Sequence, residues 1–240
     1  MLKKNETKLS IVIPCYNEVN TIREIIKKVT YNLQQFSFND YEIIIVDDCS
    51  NDGTAQIIKQ ISIDKKIRIF FHNQNLGKGA AIHTGIKHTT GEILIIQDAD
   101  LEYDPSDYDK LLRPFFEADA DIVYGSRFIG GGKYVRIHFF WHYIANKIIT
   151  FVCNMFTNLN LTDVETGYKV FKREVIKSIN LKEHSFGIEP EITIKLAKKK
   201  YKFFEVGISY RGRSYSEGKK ITAKDAFVAL YCIFKYGFFS

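Results

Sequence analysis

The sequence predicts an α/β fold in which helices cover both faces of one mostly parallel sheet. Apolar runs with strand character alternate four times with helical patterns in about the first 100 residues. Parallel neighbours need such crossover helices, so the alternation favours a parallel sheet. Polar residues follow the runs, at the strand ends where α/β sheets bind ligands. With 240 residues, the chain has room for one domain of this class.

The first half contains four predicted strand–helix units. The strands are predicted at 9–14, 41–46, 67–71 and 93–96. A helix follows Asn17-Glu18, because apolar residues recur there at helical spacing. Turn residues at 50–54 lead into a second helix, and the glycine turn at 75–79 leads into a third that runs through Ile86.

The second half is predicted to be less regular. A short strand is predicted at 121–124, and three consecutive glycines at 130–132 form a candidate hinge. The apolar stretch 139–156 and the tail from Ala226 are too interrupted or too short for the ~20 apolar residues of a spanning helix. We therefore expect C-terminal amphipathic helices at a membrane interface, with a buried helix as the alternative for 139–156. The remaining elements are a helix at 187–199 and a strand at 203–210.

Composition indicates a folded chain with a basic surplus. The formal net charge is +6, and ten Lys or Arg residues against two Glu lie between Lys195 and Lys224. Such a surplus favours nucleotides, nucleic acid or anionic lipid as partners, or else forms a solvated basic surface. The four cysteines form no metal or disulfide pattern, and the polar start is unlike a signal peptide. We therefore expect a reducing, cytoplasmic setting.

Three acidic residues follow the fourth predicted strand. Asp98, Asp100 and Glu102 come directly after its apolar run. Carboxylates this close repel one another, and a cation among their oxygens relieves the repulsion. Hard oxygen ligands suit Mg²⁺ or Mn²⁺, so we predict a divalent metal site. The alternative is an acidic loop that caps the next helix, although Asp107 and Asp109 already supply ordinary solvated acids further on.

Two earlier strand ends carry residues suited to a nucleotide. The turn with Pro14, Tyr16 and Glu18 offers an aromatic ring and an acid to a base and a ribose. Asp48, after the second strand, can accept hydrogen bonds from base or ribose groups, or else cap the following helix. Lys78 lies between two glycines in a loop only loosely like a phosphate loop. The motifs GxxxxGK[ST] and GxGxxG are absent, which excludes P-loop ATPases and the dinucleotide-binding fingerprint.

Taken in order, the motifs resemble family 2 glycosyltransferases with the GT-A fold. The similarity is to the branch of dolichyl-phosphate mannose synthases and bacterial polyprenyl-phosphate sugar transferases, over roughly residues 9–215. The matching segments are Ile13-Pro14-x-Tyr16-Asn17-Glu18, Asp47-Asp48-x-Ser50-x-Asp52-Gly53-Thr54, Asn75-x-Gly77-Lys78-Gly79, Asp98-Ala99-Asp100 and Gly125-Ser126-Arg127. The resemblance implies one GT-A domain over 1–240, with a nucleotide-sugar-binding half at 9–125 and an acceptor- and membrane-facing half at 126–240.

The resemblance also implies an inverting, metal-dependent hexosyltransferase that uses a UDP- or GDP-sugar with Mg²⁺ or Mn²⁺. Donor binding is assigned to Pro14, Tyr16, Glu18, Asp48, Lys78, Asp98 and Arg213. Metal binding is assigned to Asp98, Asp100 and Glu102, where mannose synthases often have Gln at the last position. Catalysis is assigned to Asp100, Arg127 and Glu191.

A lipid acceptor is implied, and polyprenyl phosphate is favoured over a hydroxyl lipid such as diacylglycerol. Acceptor binding is assigned to Arg127, Arg136, His138 and His142, in a region where mannose synthases have Arg and Ser. The two histidines have an alternative role as interfacial or core residues. A hydroxyl acceptor needs a general base, for which Glu189 and Glu191 are the candidates. Their alternative role is that of acids in the first turn of a helix.

Two other functional classes stay open. A nucleotidyltransferase also uses a metal–carboxylate site on an α/β sheet, but it releases diphosphate rather than nucleoside diphosphate. A non-catalytic basic module would explain the charge, yet it has no need of the acidic cluster. We expect peripheral attachment to the inner face of the membrane and no nucleic-acid partner, and we leave self-association open.

Overall fold

One sheet organises the chain, whose computed structural model describes residues 2–61, 64–136, 139–213 and 223–239. Its seven strands lie in the order β3-β2-β1-β4-β6-β5-β7. They are β1 (Leu9–Cys15), β2 (Tyr41–Asp47), β3 (Ile67–Phe71), β4 (Ile93–Ile96), β5 (Ile122–Ser126), β6 (Lys169–Lys172) and β7 (Phe203–Gly207). The α-helices are α1 (Ile22–Gln35), α2 (Thr54–Ile61), α3 (Lys78–His88), α4 (Tyr108–Glu117), α5 (Phe140–Thr157), α6 (Arg173–Lys177), α7 (Ile188–Ala197) and α8 (Ala223–Phe239).

The first four strands form the parallel part of the sheet, as predicted. β1 pairs in parallel with β2 and β4, and β2 pairs in parallel with β3. All residues of β1, β2 and β4 are buried, because helices cover both faces of the sheet. The strands predicted at 67–71 and 93–96 have the observed bounds, and the other two are one residue longer than predicted.

β6 is an antiparallel strand that the sequence pattern does not reveal. It lies between β4 and β5 and pairs antiparallel with both. Its four residues are too few to show the two-residue period of a strand. Because β6 is inserted there, the segment 163–168 that precedes it lies beside the residues that follow β4. α4 is also absent from the prediction.

Two hydrophobic cores lie on opposite faces of the sheet. α1, α2 and α4 pack on one face and contribute apolar residues to one core. α3, α5, α6, α7 and α8 contribute to the other core. The predicted helices at 139–156 and 187–199 are confirmed with ends shifted by one or two residues. The predicted strand at 203–210 ends earlier, at Gly207.

α5 and α8 contact each other and α7, and each also exposes large apolar side chains. The exposed residues on α5 include Phe140, Trp141, Ile148, Phe151 and Met155. Those on α8 include Phe227, Tyr231, Phe234, Phe238 and Phe239. Within the described ranges, neither of these helices nor any other is long and apolar enough to cross a membrane.

Asp107 is a structural acid and not the solvated one that the sequence suggests. Its side chain is fully buried and accepts hydrogen bonds from the Ser209 backbone N–H at 2.7 Å and from Lys110 Nζ at 2.8 Å. It therefore joins the start of α4 to the segment after β7. That segment continues into Tyr210 and Arg213, which line the site described below.

We predict that Asp107→Ala lowers the free energy of unfolding by about 2–4 kcal/mol, because a buried N–H loses its charged acceptor. Urea unfolding followed by circular dichroism measures the change. Asp109→Ala is the matched control: Asp109 pairs with exposed Arg113, so its loss should change stability by less than about 0.5 kcal/mol. Equal effects of the two substitutions would contradict the role given to Asp107.

Candidate active site

A cavity of about 860 Å³ opens at the C-terminal ends of β1, β2, β4 and β5. This is where the parallel sheet was expected to bind its ligands. The cavity brings together most of the residues that the sequence singled out. They are Pro14, Tyr16, Glu18, Asp48, Lys78, Asp98, Asp100, Glu102, Arg127, His142 and Arg213. Pro14 is a buried residue near the end of β1, whereas Tyr16 is only partly buried.

Lys78 links two acids across the cavity. Its Nζ lies 3.0 Å from Asp98 Oδ1 and 3.2 Å from Glu189 Oε1. Burial lowers the pKa of Lys78, but Asp98 and Glu189 outweigh that effect and raise it well above its usual value. Lys78 therefore stays charged and holds the first turn of α3 against the loop after β4 and the start of α7.

Arg213 occupies the space among three other acids. Its Nη2 lies 3.1 Å from Glu18 Oε1 and 3.1 Å from Asp100 Oδ2, and its Nε lies 3.5 Å from Glu102 Oε1. The guanidinium thus offsets part of the negative charge of the predicted acidic cluster, because it contacts Asp100 and Glu102. It also ties the segment after β7 to the ends of β1 and β4.

Asp100, in this cluster, has a raised pKa. Burial raises its pKa to about 7, and the neighbouring carboxylates of Asp98 and Glu102 add to the rise, while Arg213 opposes it. At neutral pH a substantial fraction of Asp100 is therefore protonated. Additional positive charge next to Asp100 would favour the ionised form.

Glu102 has both carboxylate oxygens engaged by the segment after β7. Oε1 accepts from the Arg213 backbone N–H at 2.8 Å, and Oε2 accepts from the Tyr210 hydroxyl at 2.7 Å. In this arrangement Glu102 anchors that segment. Glu102, the third predicted metal ligand, therefore lies at the site, but donors of the protein already bind both of its carboxylate oxygens.

Asp48 anchors the loop before α3. Its carboxylate accepts from the backbone N–H groups of Leu76 and Gly77 at 2.9 and 2.7 Å, and its Oδ1 lies 2.7 Å from His72 Nδ1. The other ring nitrogen of His72 lies 2.9 Å from Thr84 Oγ1. A ligand that reaches Asp48 therefore meets a carboxylate in a fixed orientation, set by a histidine that sequence analysis missed.

Arg127 forms a two-pronged pair with buried Asp163. Nε to Oδ2 and Nη2 to Oδ1 are both 2.7 Å, and the guanidinium lies 5.1 Å from the ring centre of Tyr210. The pair gives Arg127 a defined orientation in the cavity wall. Asp163 was not among the predicted residues; it lies four positions before Gly167 in the sequence.

The residues matched by the glycosyl transferase family 2 model are 10–179, well over half of the chain. The chain belongs to glycosyl transferase family 2.

The branch suggested by the sequence is supported by two relatives whose names concern dolichol-linked sugars. A dolichol-phosphate mannosyltransferase of Pyrococcus furiosus is 30% identical over 217 residues, which cover 89% of this chain and 60% of that protein. A dolichyl-phosphate beta-glucosyltransferase of Trichomonas vaginalis is 27% identical over 226 residues, which cover 86% of this chain and 67% of that protein.

Solved structures confirm the GT-A-like fold of this family 2 chain. Glucosyl-3-phosphoglycerate synthase from Mycobacterium tuberculosis matches with a TM-score of 0.74 and 20% identity, over 99% of this chain and 83% of that one. The same enzyme in complex with Mn²⁺, uridine diphosphate and phosphoglyceric acid matches with a TM-score of 0.70 and 18% identity, over 98% and 80% of the two chains. At such identities the likeness shows the fold alone.

Three residues that the sequence analysis assigned to the site are not among the described residues that line the cavity. Glu191 is fully buried, and it accepts from the backbone N–H groups of Lys182 and Glu183 and from Lys195 Nζ. Arg136 is exposed and donates to the Gly212 carbonyl at 2.8 Å. His138 lies outside the described residues. Glu191 therefore holds the loop before α7 and has no access to a substrate.

The segment before β6 contributes residues that were not assigned to the site from the sequence. A Cβ at Gly167 would lie 2.2 Å from Asp98 Oδ2, so only glycine allows this approach. Tyr168 and Tyr108 both donate to Gln97 Oε1, next to Asp98. Gly167 is a local signal of a close backbone approach, but it does not reveal which residue lies opposite.

The excess of negative charge among the side chains that line the cavity suits a divalent cation. Eight acidic residues and three Lys or Arg residues line it, counting only described residues. As these side chains stand, no three His, Cys, Asp or Glu in the described part are arranged to hold a metal ion. Lys78 and Arg213 instead lie against Asp98 and Asp100. The donor set is nevertheless one of hard carboxylate oxygens, which suits Mg²⁺ or Mn²⁺.

We predict that Gly167→Ala lowers sugar transfer by about 10²-fold while the protein stays folded. The added methyl group would displace Asp98 from Lys78, and a shift of about 1 Å at a reacting site costs that much. Transfer assays and thermal unfolding measure the two effects. Wild-type activity in Gly167→Ala would show that the position of Asp98 does not matter.

Proposed function

We propose that this chain is an inverting glycosyltransferase that moves a sugar from a UDP- or GDP-sugar to a polyprenyl phosphate at a membrane surface. Family membership and the dolichol-phosphate relatives support the reaction class. The observation that carries the proposal is the cavity in which Asp98, Asp100, Lys78 and Arg127 converge at the sheet edge. In this proposal residues 9–125 bind the donor and residues 126–240 receive the acceptor.

The charge of the cavity explains why the donor would bring a divalent cation with it. A nucleoside diphosphate is anionic, and the three cationic side chains of the cavity are already paired with carboxylates. Asp98 and Asp100 would hold Mg²⁺ or Mn²⁺, and Arg213 would then release Asp100 and turn to the diphosphate. When bound, the cation neutralises charge that grows on the departing diphosphate.

The proposed transfer is one in-line displacement. An oxygen of the acceptor phosphate forms a bond to the anomeric carbon while the bond from that carbon to the donor diphosphate breaks, and the nucleoside diphosphate leaves with the electron pair. Because the acceptor is already anionic, no proton has to be removed. The burial of Glu191 supports this acceptor, because backbone N–H groups enclose the predicted base that a hydroxyl acceptor would need.

The cavity opens beside apolar side chains that would suit a lipid acceptor. Trp141 and Phe227 line the cavity and are 77% and 73% exposed. They are among the exposed apolar side chains of α5 and α8. A phosphate that enters the cavity next to Arg127 would leave its hydrocarbon tail near these side chains. This placement supports the proposed peripheral attachment to a membrane surface.

The acceptor assay tests the proposal directly. We expect incubation with a UDP- or GDP-sugar and polyprenyl phosphate to yield a glycosylated phosphate lipid and nucleoside diphosphate, both identified by mass spectrometry. Diacylglycerol is offered in parallel. A product on diacylglycerol alone would establish the alternative glycolipid synthase, and release of inorganic diphosphate would establish a nucleotidyltransferase.

We predict that EDTA abolishes transfer, that Mg²⁺ or Mn²⁺ restores it, and that Asp100→Asn is inactive but folded. Because burial raises the pKa of Asp100 to about 7, a metal must compete with a proton there, so metal affinity should rise between about pH 6 and pH 8. Calorimetric titration with Mn²⁺ measures this. Full turnover in EDTA, or an affinity independent of pH, would refute the assignment.

We predict that the protein sediments with anionic lipid vesicles and that salt weakens the binding. Replacing Phe151 and Met155, which are 66% and 69% exposed on α5, by Glu should weaken binding by about 10-fold or more. Tyr31→Glu on α1 is the matched control, because Tyr31 is 59% exposed on the opposite face of the sheet. If wild type, the variant with Glu at positions 151 and 155, and Tyr31→Glu bind the vesicles equally, α5 does not contact the membrane.

A further inference from the structure

Two buried carboxylate oxygens in the cavity wall accept no hydrogen bond from the protein. They are Glu165 Oε1 and Glu189 Oε2, and both residues line the cavity. A buried carboxylate oxygen without a partner is costly, because it has lost its hydration. Glu189 uses its other oxygen to bind Lys78 at 3.2 Å. Its Oε2 is thus held in a fixed place.

Glu165 is held in position by its own backbone. Lys169 is buried, and its Nζ donates to the carbonyl oxygens of Val164 and Thr166, the two residues that flank Glu165. The Lys169 ammonium also lies 4.8 Å from the ring centre of Tyr124. The backbone on both sides of Glu165 is therefore fixed, which is what a preorganised binding group requires.

The nearby cations are occupied elsewhere. Lys78 binds Asp98 and Glu189 Oε1, and Arg127 binds Asp163. Burial raises the pKa of Glu165 to about 8, and the neighbouring Glu189 adds to that rise. The rise means that a negative charge is unfavourable at this place, so a further anionic group is disfavoured there. The unpartnered oxygens of the two acids are suited to donors that carry no negative charge, of which hydroxyl groups are the simplest.

Glu165 lies between the donor and acceptor parts of the cavity. Two residues before it, Asp163 binds Arg127, which is assigned to a phosphate. Two residues after it, Gly167 touches Asp98, which is assigned to the donor. In a glycosyl transfer, the group between the donor diphosphate and the acceptor phosphate is the sugar itself.

We propose that Glu165 and Glu189 form the subsite that accepts hydrogen bonds from hydroxyl groups of the transferred sugar, and that this subsite selects a neutral hexose over an anionic uronic acid. The proposal rests on the proposed function, because it assumes a nucleotide-sugar donor in this cavity. It assigns a specificity-determining role to two acids. It leaves the nucleotide to other residues, among them Asp48.

Calorimetric titration in the presence of Mn²⁺ separates the sugar from the nucleotide. The ligands are UDP, GDP, UDP-glucose, GDP-mannose and UDP-glucuronic acid. We expect Glu165→Ala and Glu189→Gln to weaken the preferred neutral nucleotide-sugar by about 10-fold or more, and the matching nucleoside diphosphate by less than about 2-fold. Glu189→Gln should also bind UDP-glucuronic acid more tightly than wild type does, because it removes the carboxylate that pairs with Lys78. Glu174→Gln, an exposed acid on α6, is the matched control and should bind as wild type does.

Thermal unfolding distinguishes a binding role from a structural one. Removing an unpartnered buried carboxylate should leave the melting temperature of Glu165→Gln unchanged or higher, whereas a structural acid would lower it. If wild type binds neither UDP nor GDP, the proposed function fails together with this inference. If UDP or GDP binds and the Glu165 and Glu189 variants bind nucleotide-sugars as wild type does, only the sugar subsite is overturned. Equal losses for sugar-bearing and sugar-free ligands would overturn it as well.

Discussion

The balance of buried charge at the C-terminal edge of the sheet is the constraint on which the rest of the site depends. Acids outnumber cations in the cavity, and each cation holds two separate parts of the chain together. Lys78 joins α3 to the loop after β4 and to α7, while Arg213 joins the segment after β7 to the ends of β1 and β4. Because burying like charges is costly, these pairs fix the shape of the cavity. The same imbalance leaves the site ready for a cation and an anionic ligand together.

Among the acids around the cavity are two groups that residue type alone does not separate. In the first group every carboxylate holds backbone N–H groups, and so shapes a loop. Its members are Asp48, Glu102, Asp107, Glu191 and Glu205. In the second group, Glu165 and Glu189 keep an oxygen that the protein does not use. Whether the protein's own donors bind both carboxylate oxygens therefore distinguishes the acids that anchor loops from those proposed to bind a ligand.

Much of the fold could be predicted because its signals are local. The alternation of apolar strands and amphipathic helices determined the parallel half of the sheet, and the polar residues after β1, β2 and β4 marked the edge where the cavity lies. The ordered motifs also placed the chain in its family, as the match over residues 10–179 confirms. β6 escaped prediction because its four residues show no period, and its place between β4 and β5 depends on contacts between residues that are distant in sequence.

The sequence by itself determined which residue types are present at the strand ends, and therefore the donor-binding and metal-binding chemistry to expect there. Only the tertiary structure decided what each acid does. Glu189 and Glu191 are two positions apart at the start of α7, yet one faces the cavity and the other is enclosed by backbone donors. Residues two apart on a helix point about 200° apart around its axis, so their roles depend on which face the neighbouring elements cover. Glu165 likewise gains its place only because β6 brings its segment against Asp98.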